Sequence, residues 1–233
     1  MKSAEVLLCL ARAQTLANSE AGDAEAASLL ASVLDKDPLD ARALEATGHA
    51  AYSAGRLEEA EVAFQQAVAA TEETSGVALR CWLRMGRTYL TLGKADDARK
   101  TLMVACESYP CRAVWAGLGE AYYRLGLVGP ALNAFTEANL LDYVNPGVWG
   151  WLALSCLGLE REAEAAAALK QALKLGLKEC ALLTEIGEKY VAMGRAAASV
   201  EPLRVAGSVE ARCLLSQVGV VGKPQASDWH WVG

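Results

Sequence analysis

Trp82, Trp115 and Trp149 stand 33 and 34 residues apart, and each opens the same short pattern of residue types. Trp82 leads to Met85, Gly86 and Tyr89; Trp115 to Leu118, Gly119 and Tyr122; Trp149 to Leu152, Ala153 and Cys156. A second pattern follows in phase, as Ala98, Leu102, Ala105 and Pro110, then Ala131, Phe135 and Ala138, then Ala165, Leu169 and Ala172. Self-similarity at a fixed period of this length constrains the fold more than any figure for composition. Each period is one supersecondary unit that cannot bury its apolar face alone, so the units must stack.

The first half of the pattern resembles the W-x2-L-G-x2-Y signature of tetratricopeptide repeats. The copy at Trp115 matches it in full, and the flanking copies relax one or two positions. The phase extends upstream through Leu44, Gly48, Ala60, Phe64 and Ala67, and more loosely through Leu10, Ala26, Leu30, Val33 and Pro38. It extends downstream through Leu183, Ile186, Gly187, Tyr190, Leu203 and Ala206. The expected fold is therefore all-α, a tetratricopeptide-repeat superhelical solenoid of about six helix–turn–helix units. The repeats fall near 7–40, 41–74, 79–111, 112–145, 146–179 and 180–213, an array over 1–213 followed by a C-terminal tail over 214–233. Residues 75–78 are an insertion that lengthens a helix or loosens one junction.

Each recurring residue has a physical task. Small residues in the first helix (Gly48, Gly86, Gly119, Ala153, Gly187) let the second helix approach, and Ala60, Ala98, Ala131 and Ala165 do so from the other side. Large residues such as Phe64, Phe135, Tyr89, Tyr122 and the three Trp fill the space between helices. Gly55, Gly93, Gly126 and Gly194 fall in the turns, where a helix stop favours positive φ. Pro38 and Pro110 punctuate the junctions, and Pro130 sits near a helix start. Pro202 lies inside the last second helix and should kink or shorten it.

Charge and composition then exclude function classes. The chain has 233 residues, a net charge of −6 and a hydrophobic fraction of 53%. That is too apolar for disorder and too acidic for a dedicated binder of nucleic acid or of an anionic membrane surface. Cysteines 9, 81, 106, 111, 156, 180 and 213 contain no C-x-x-C pair, which fits reduced thiols in a soluble intracellular protein. With only His49 and His230 there is no His-rich metal centre. No nucleotide, hydrolase or zinc-protease motif occurs, and Glu58/Glu59 and Asp96/Asp97 read as helix-start acids rather than catalytic dyads. No catalytic residue, cofactor, metal or small-molecule substrate is assigned. The expected partners are proteins of a large assembly.

Partner binding falls to the groove that first helices line. Arg80, Arg84 and Arg87 share one face of the third repeat, beside Leu83 and Leu90. A basic strip of this kind could hold an acidic segment, since Arg pairs with carboxylates in a bidentate fork. The fourth repeat adds Glu120, Tyr123 and Arg124, and the fifth offers Gly147, Gly150, Leu154 and Leu157 as a small, apolar floor for a peptide. Repeats that take acidic chaperone tails carry Lys and Asn at set first-helix positions. Here those positions hold Glu45, Ala46 and His49, or Leu83, Arg84 and Arg87, and the Asn residues are missing. Trp229 and Trp231 flank His230 near the end and suggest a docking tail.

The later repeats narrow the resemblance. The run Tyr109-Pro110-Cys111, Trp115, Gly119, Tyr123-Arg124-Leu125-Gly126 and Glu137-Ala138-Asn139 is similar to the C-terminal repeat region of the cilia- and flagella-associated protein 70 family. It continues through Val148-Trp149, Leu152-Ala153-Leu154, Cys156-Leu157, Lys174-Leu175, Leu177-Lys178, Ala181-Leu182-Leu183 and Glu185-Ile186. Members of that family are longer, and the Trp229–Trp231 tail is not part of the shared pattern. The resemblance implies a non-catalytic structural component of the motile-cilium axoneme, in a projection of the central apparatus and needed for beating. Read from the fold alone, an adaptor in another cytosolic multiprotein complex, or an accessory domain of a larger enzyme, fits as well.

Overall fold

Twelve α-helices occupy the described part of the chain, and no described residue lies in a strand. The structure is a computed structural model that describes residues 20–71 and 76–218. It divides into two compact units, Met1–Leu127 and Val128–Gly233. The expected first helix of the first repeat lies outside the described residues, as do Trp229 and Trp231.

The first unit contains α1 (Glu20–Leu34), α2 (Ala41–Ser53), α3 (Leu57–Ala69), α4 (Gly76–Thr91), α5 (Ala95–Ser108) and α6 (Arg112–Arg124). Each helix packs on the next, and α4 also touches both α2 and α6, so alternate helices form a continuous layer. Residues 76–78 of the insertion form the start of α4, which has 16 residues where α2 has 13. Asp40 caps α2 by accepting from the backbone N–H groups of Arg42 and Ala43.

The second unit contains α7 (Val128–Leu141), α8 (Pro146–Gly158), α9 (Glu162–Lys174), α10 (Cys180–Ala192), α11 (Ala196–Ala206) and α12 (Val209–Gln217). Here α8 packs on α7, α9 and α10, α10 packs on α11, and α12 closes over both α10 and α11. Asn145 caps α8 through Val148 N–H, with Pro146 at the first helical position where its missing donor costs nothing. Pro202 lies buried within α11, which has 11 residues against 13 in α9 and ends at Gly207. Helix α12 begins at its Ser208 cap and runs through residue 213 to Gln217.

The expected small-against-large crossings are present. A Cβ on Gly48 would stand 2.7 Å from the Phe64 ring, and one on Gly86 would stand 2.8 Å from Leu102 Cγ. Gly187 faces Leu203 in the same way. The large partner follows sixteen residues after the glycine each time. Ala60, Ala98, Ala131 and Ala165 are completely buried, and Ser199 takes the corresponding place in α11, its hydroxyl donating to Ala196 O. The three repeat Trp are only half-buried: Trp82 and Trp115 lean on the cluster around Leu102, Val114 and Leu118, and Trp149 Nε1 donates to Tyr143 O. Phe64 and Phe135 are the fully buried aromatics.

The turns close by one device. After α2, Arg56 N–H reaches back to Ala51 O; after α4, Lys94 N–H reaches Tyr89 O; after α10, Arg195 N–H reaches Tyr190 O. Such a six-to-one closure requires a left-handed residue just past the helix, supplied by Gly55, Gly93 and Gly194 at φ of 75°, 72° and 71°. After α8 the closure from Arg161 to Cys156 O is the same, but Glu160 occupies the left-handed position at φ 59°.

Candidate functional site

The candidate surface in the first unit is the face of α4 that carries Arg80, Arg84 and Arg87, with α2 on one side and α6 on the other. One helical turn separates successive arginines, so all three project from one face. Their environments differ. Arg80 Nε and Nη2 donate to the two carboxylate oxygens of Glu45 on α2 at 2.5 and 2.7 Å. This hydrogen bond, above all, raises the Arg80 pKa from its ordinary value. Arg80 is thus a fork-shaped brace between α2 and α4, and its charge is met within the protein.

Arg84 is half-buried and Arg87 exposed, and among the described residues neither guanidinium has a hydrogen-bond or ion-pair partner. Leu83 and Leu90 flank them, half-buried, and Leu83 leans on the cluster that α6 shares. On α6, Tyr123 is half-buried, and Glu120 accepts from Arg124 at 3.2 Å. The surface therefore has an unpaired Arg84–Arg87 centre with an internally neutralised pair on either flank. Of the three arginines expected to form a strip, Arg84 and Arg87 are unpaired and Arg80 is paired with Glu45, a proximity between helices that the sequence does not reveal.

In the second unit the expected apolar floor is not available. Leu154 and Leu157 are buried at 0% and 3% exposure, and Gly150 is covered by Leu177 and Leu182, whose atoms would stand 2.9 and 2.7 Å from an added Cβ. These residues form the core of the unit rather than a peptide floor. Helix α8 buries eight of its 13 residues, so its apolar pattern marks no single face as open. The second unit presents instead an open cleft of about 550 Å³ lined by Cys180, Thr184, Glu185, Glu188, Ser208 and Glu210. Sequence reading missed it because α12, which supplies Ser208 and Glu210 as one wall, is short and falls where the repeat pattern fades.

Thiol chemistry is muted at Cys81 and Cys106 in the first unit. Burial pushes the Cys81 thiol up to about 12 and the Cys106 thiol to about 11, so both stay protonated and unreactive near neutral pH. Among the described residues no group of three or more His, Cys, Asp or Glu is placed to hold a metal ion. No helix among them is long and apolar enough to cross a membrane.

The family model described as the cilia and flagella-associated protein 70 C-terminal domain matches residues 3–225. Cilia- and flagella-associated protein 70 of Homo sapiens is 35% identical over 184 residues, which are 79% of this chain and 16% of that protein. Among solved structures, the chain is similar to one in the APC/C hetero-tetramer Cut9–Hcn1, with a TM-score of 0.73 at 19% identity, covering 93% of this chain and 43% of that one. It is also similar to YrrB, described as a TPR protein with an unusual peptide-binding site, with a TM-score of 0.60 at 14% identity, covering 82% and 98%. At these identities the two structures speak for the tetratricopeptide-type helix-pair fold alone.

Proposed function

Because this chain belongs to the cilia and flagella-associated protein 70 C-terminal domain family, we propose that it is a non-enzymatic protein-binding scaffold of the motile-cilium axoneme, placed in a projection of the central apparatus and needed for beating. The match across residues 3–225 carries this reading. The chain spans only 16% of the human relative, so the placement concerns what this domain contributes to a larger machine. Its helix pairs, its protonated core thiols and its ion pairs between helices suit a rigid element that binds proteins rather than a reacting centre. The docking surface in this reading is the Arg84–Arg87 face of α4, with Tyr123 on the neighbouring α6.

The experiment is localisation of a fluorescently tagged copy in multiciliated cells. Signal along the axoneme that survives detergent extraction supports the proposal. A diffuse cytoplasmic signal, or recovery in a different cytosolic complex, overturns the ciliary placement in favour of a general adaptor.

A further inference from the structure

We infer that the α4 face of the first unit recognises an acidic peptide segment through Arg84 and Arg87, and that Glu45 withholds a third cation, Arg80, from the same ligand. This deepens the protein-binding reading and rests on it. The carrying observation is how charge is distributed across neighbouring helices. On α2, Glu45 is committed to Arg80; on α6, Glu120 is bonded to Arg124; between them Arg84 and Arg87 have no partner among the described residues. Arg84 and Arg87 are thus adjacent cations on one helix face that no carboxylate among the described residues neutralises. Arg84 is half-buried as well, so water only partly compensates its charge.

A carboxylate ligand supplies what is missing. Arg offers a planar fork that binds carboxylate through two parallel hydrogen bonds, stronger than contacts between neutral groups. Arg84 and Arg87 lie about one helical turn, roughly 4.5 Å, apart along α4. Carboxylates at alternate positions of an extended segment project to one side about 7 Å apart, within reach of two such long side chains. Leu83 and Leu90 beside the cations favour a segment in which hydrophobic residues accompany the acids. Glu45 has the opposite effect, because it holds the Arg80 guanidinium in a closed pair.

The test uses the purified full chain and two fluorescein-labelled 12-residue probes, one alternating Glu and Leu, the other with Gln replacing every Glu. Fluorescence anisotropy should give a Kd at least about tenfold tighter for the Glu probe, weakening several-fold as added salt screens the contact. Exchanging both arginines, R84Q with R87Q, should remove that preference, and Arg204→Gln in the second unit should leave it intact. Glu45→Gln should tighten binding several-fold by releasing Arg80, an outcome that loss of a structural brace would not produce. If the double Gln variant fails to fold by circular dichroism, the pair R84K with R87K and the Glu45→Gln variant still decide. Equal affinity for the two probes, no binding of the Glu probe, or weaker binding by Glu45→Gln overturns the inference. Acid-peptide binding without axonemal localisation would overturn only the ciliary placement; localisation without acid preference would overturn only this inference.

Discussion

Gly86 and Leu102 meet at a helix crossing with no room for one further carbon: a Cβ on Gly86 would lie 2.8–2.9 Å from three Leu102 side-chain atoms. Leu102 is itself 1% exposed and cannot swing away. Overpacking of this kind costs about 1–3 kcal/mol, and helix propensity returns up to about 1 kcal/mol for Gly to Ala. Gly86→Ala should therefore lower stability by on the order of 1 kcal/mol in urea denaturation. Shrinking the partner in Gly86→Ala/Leu102→Ala should give a loss smaller than the sum of the two single losses. Simple additivity would mean that the two residues do not share the crossing.

Ser155 presents the opposite case. Its hydroxyl is fully buried in α8 without a hydrogen-bond partner, whereas the corresponding positions in α2 and α6 carry Ala50 and Ala121. A buried unsatisfied polar group costs about 1–3 kcal/mol. Ser155→Ala should raise the melting temperature, with a gain of about 1 kcal/mol. A loss of stability would reveal a hydrogen bond for that hydroxyl.

Glu160 is held at φ 59°, where the equivalent turns after α2, α4 and α10 use glycine. A residue with a Cβ pays roughly 1–2 kcal/mol in the left-handed region. Glu160→Gly relieves this at some entropic cost from the unfolded chain, and should stabilise by roughly 0.5–1 kcal/mol. The readout is thermal unfolding; a lower melting temperature would mean that the Glu160 side chain contributes more than its backbone costs.

Burial separates the thiols into two classes. Cys180 and Cys213 are exposed, whereas Cys81 is fully buried with its pKa pushed up to about 12. At pH 8, iodoacetamide followed by peptide mass spectrometry should label Cys180 and Cys213 within minutes and Cys81 only after denaturation. The linked effect on stability has a definite sign. The folded state keeps the Cys81 proton to a higher pH than the unfolded chain, so stability is intact below about pH 9 and declines as pH rises from there towards 12. Rapid labelling of Cys81 in the native protein would show that the α4 packing opens readily.

Much of this architecture is legible in the sequence because the repeat writes each crossing twice. A glycine in one helix and a large residue sixteen positions later fix both the helix pair and its packing, as at Gly48–Phe64 and Gly86–Leu102. Glu160 escapes notice because the turn that it occupies lacks the glycine that signals it. The candidate surface is less legible. Arg80, Arg84 and Arg87 are equivalent in a helical wheel, and only the placement of Glu45 on a neighbouring helix sets the first apart. Leu154 and Leu157 mislead for a different reason, since α8 is apolar nearly all round and periodicity cannot tell its buried side from an open one. The acidic cleft depends on α12, whose nine residues lie where the repeat has faded.

One sedimentation measurement tests both the ciliary placement and the unpaired Arg84–Arg87 face. Demembranated axonemes lacking the endogenous protein would be incubated with wild-type chain and with Arg84→Glu, and the pelleted fraction of each compared at equal concentration. Arg84 has no ion pair to lose but is half-buried, so the fold of Arg84→Glu is checked by its melting curve, with Arg87→Glu at the exposed neighbouring position as the second variant. The expected result is saturable pelleting of the wild-type chain and at least about tenfold weaker pelleting of Arg84→Glu, a difference of about 1.4 kcal/mol in binding. Wild-type chain that stays in the supernatant, or an Arg84→Glu variant that pellets equally well, would contradict it.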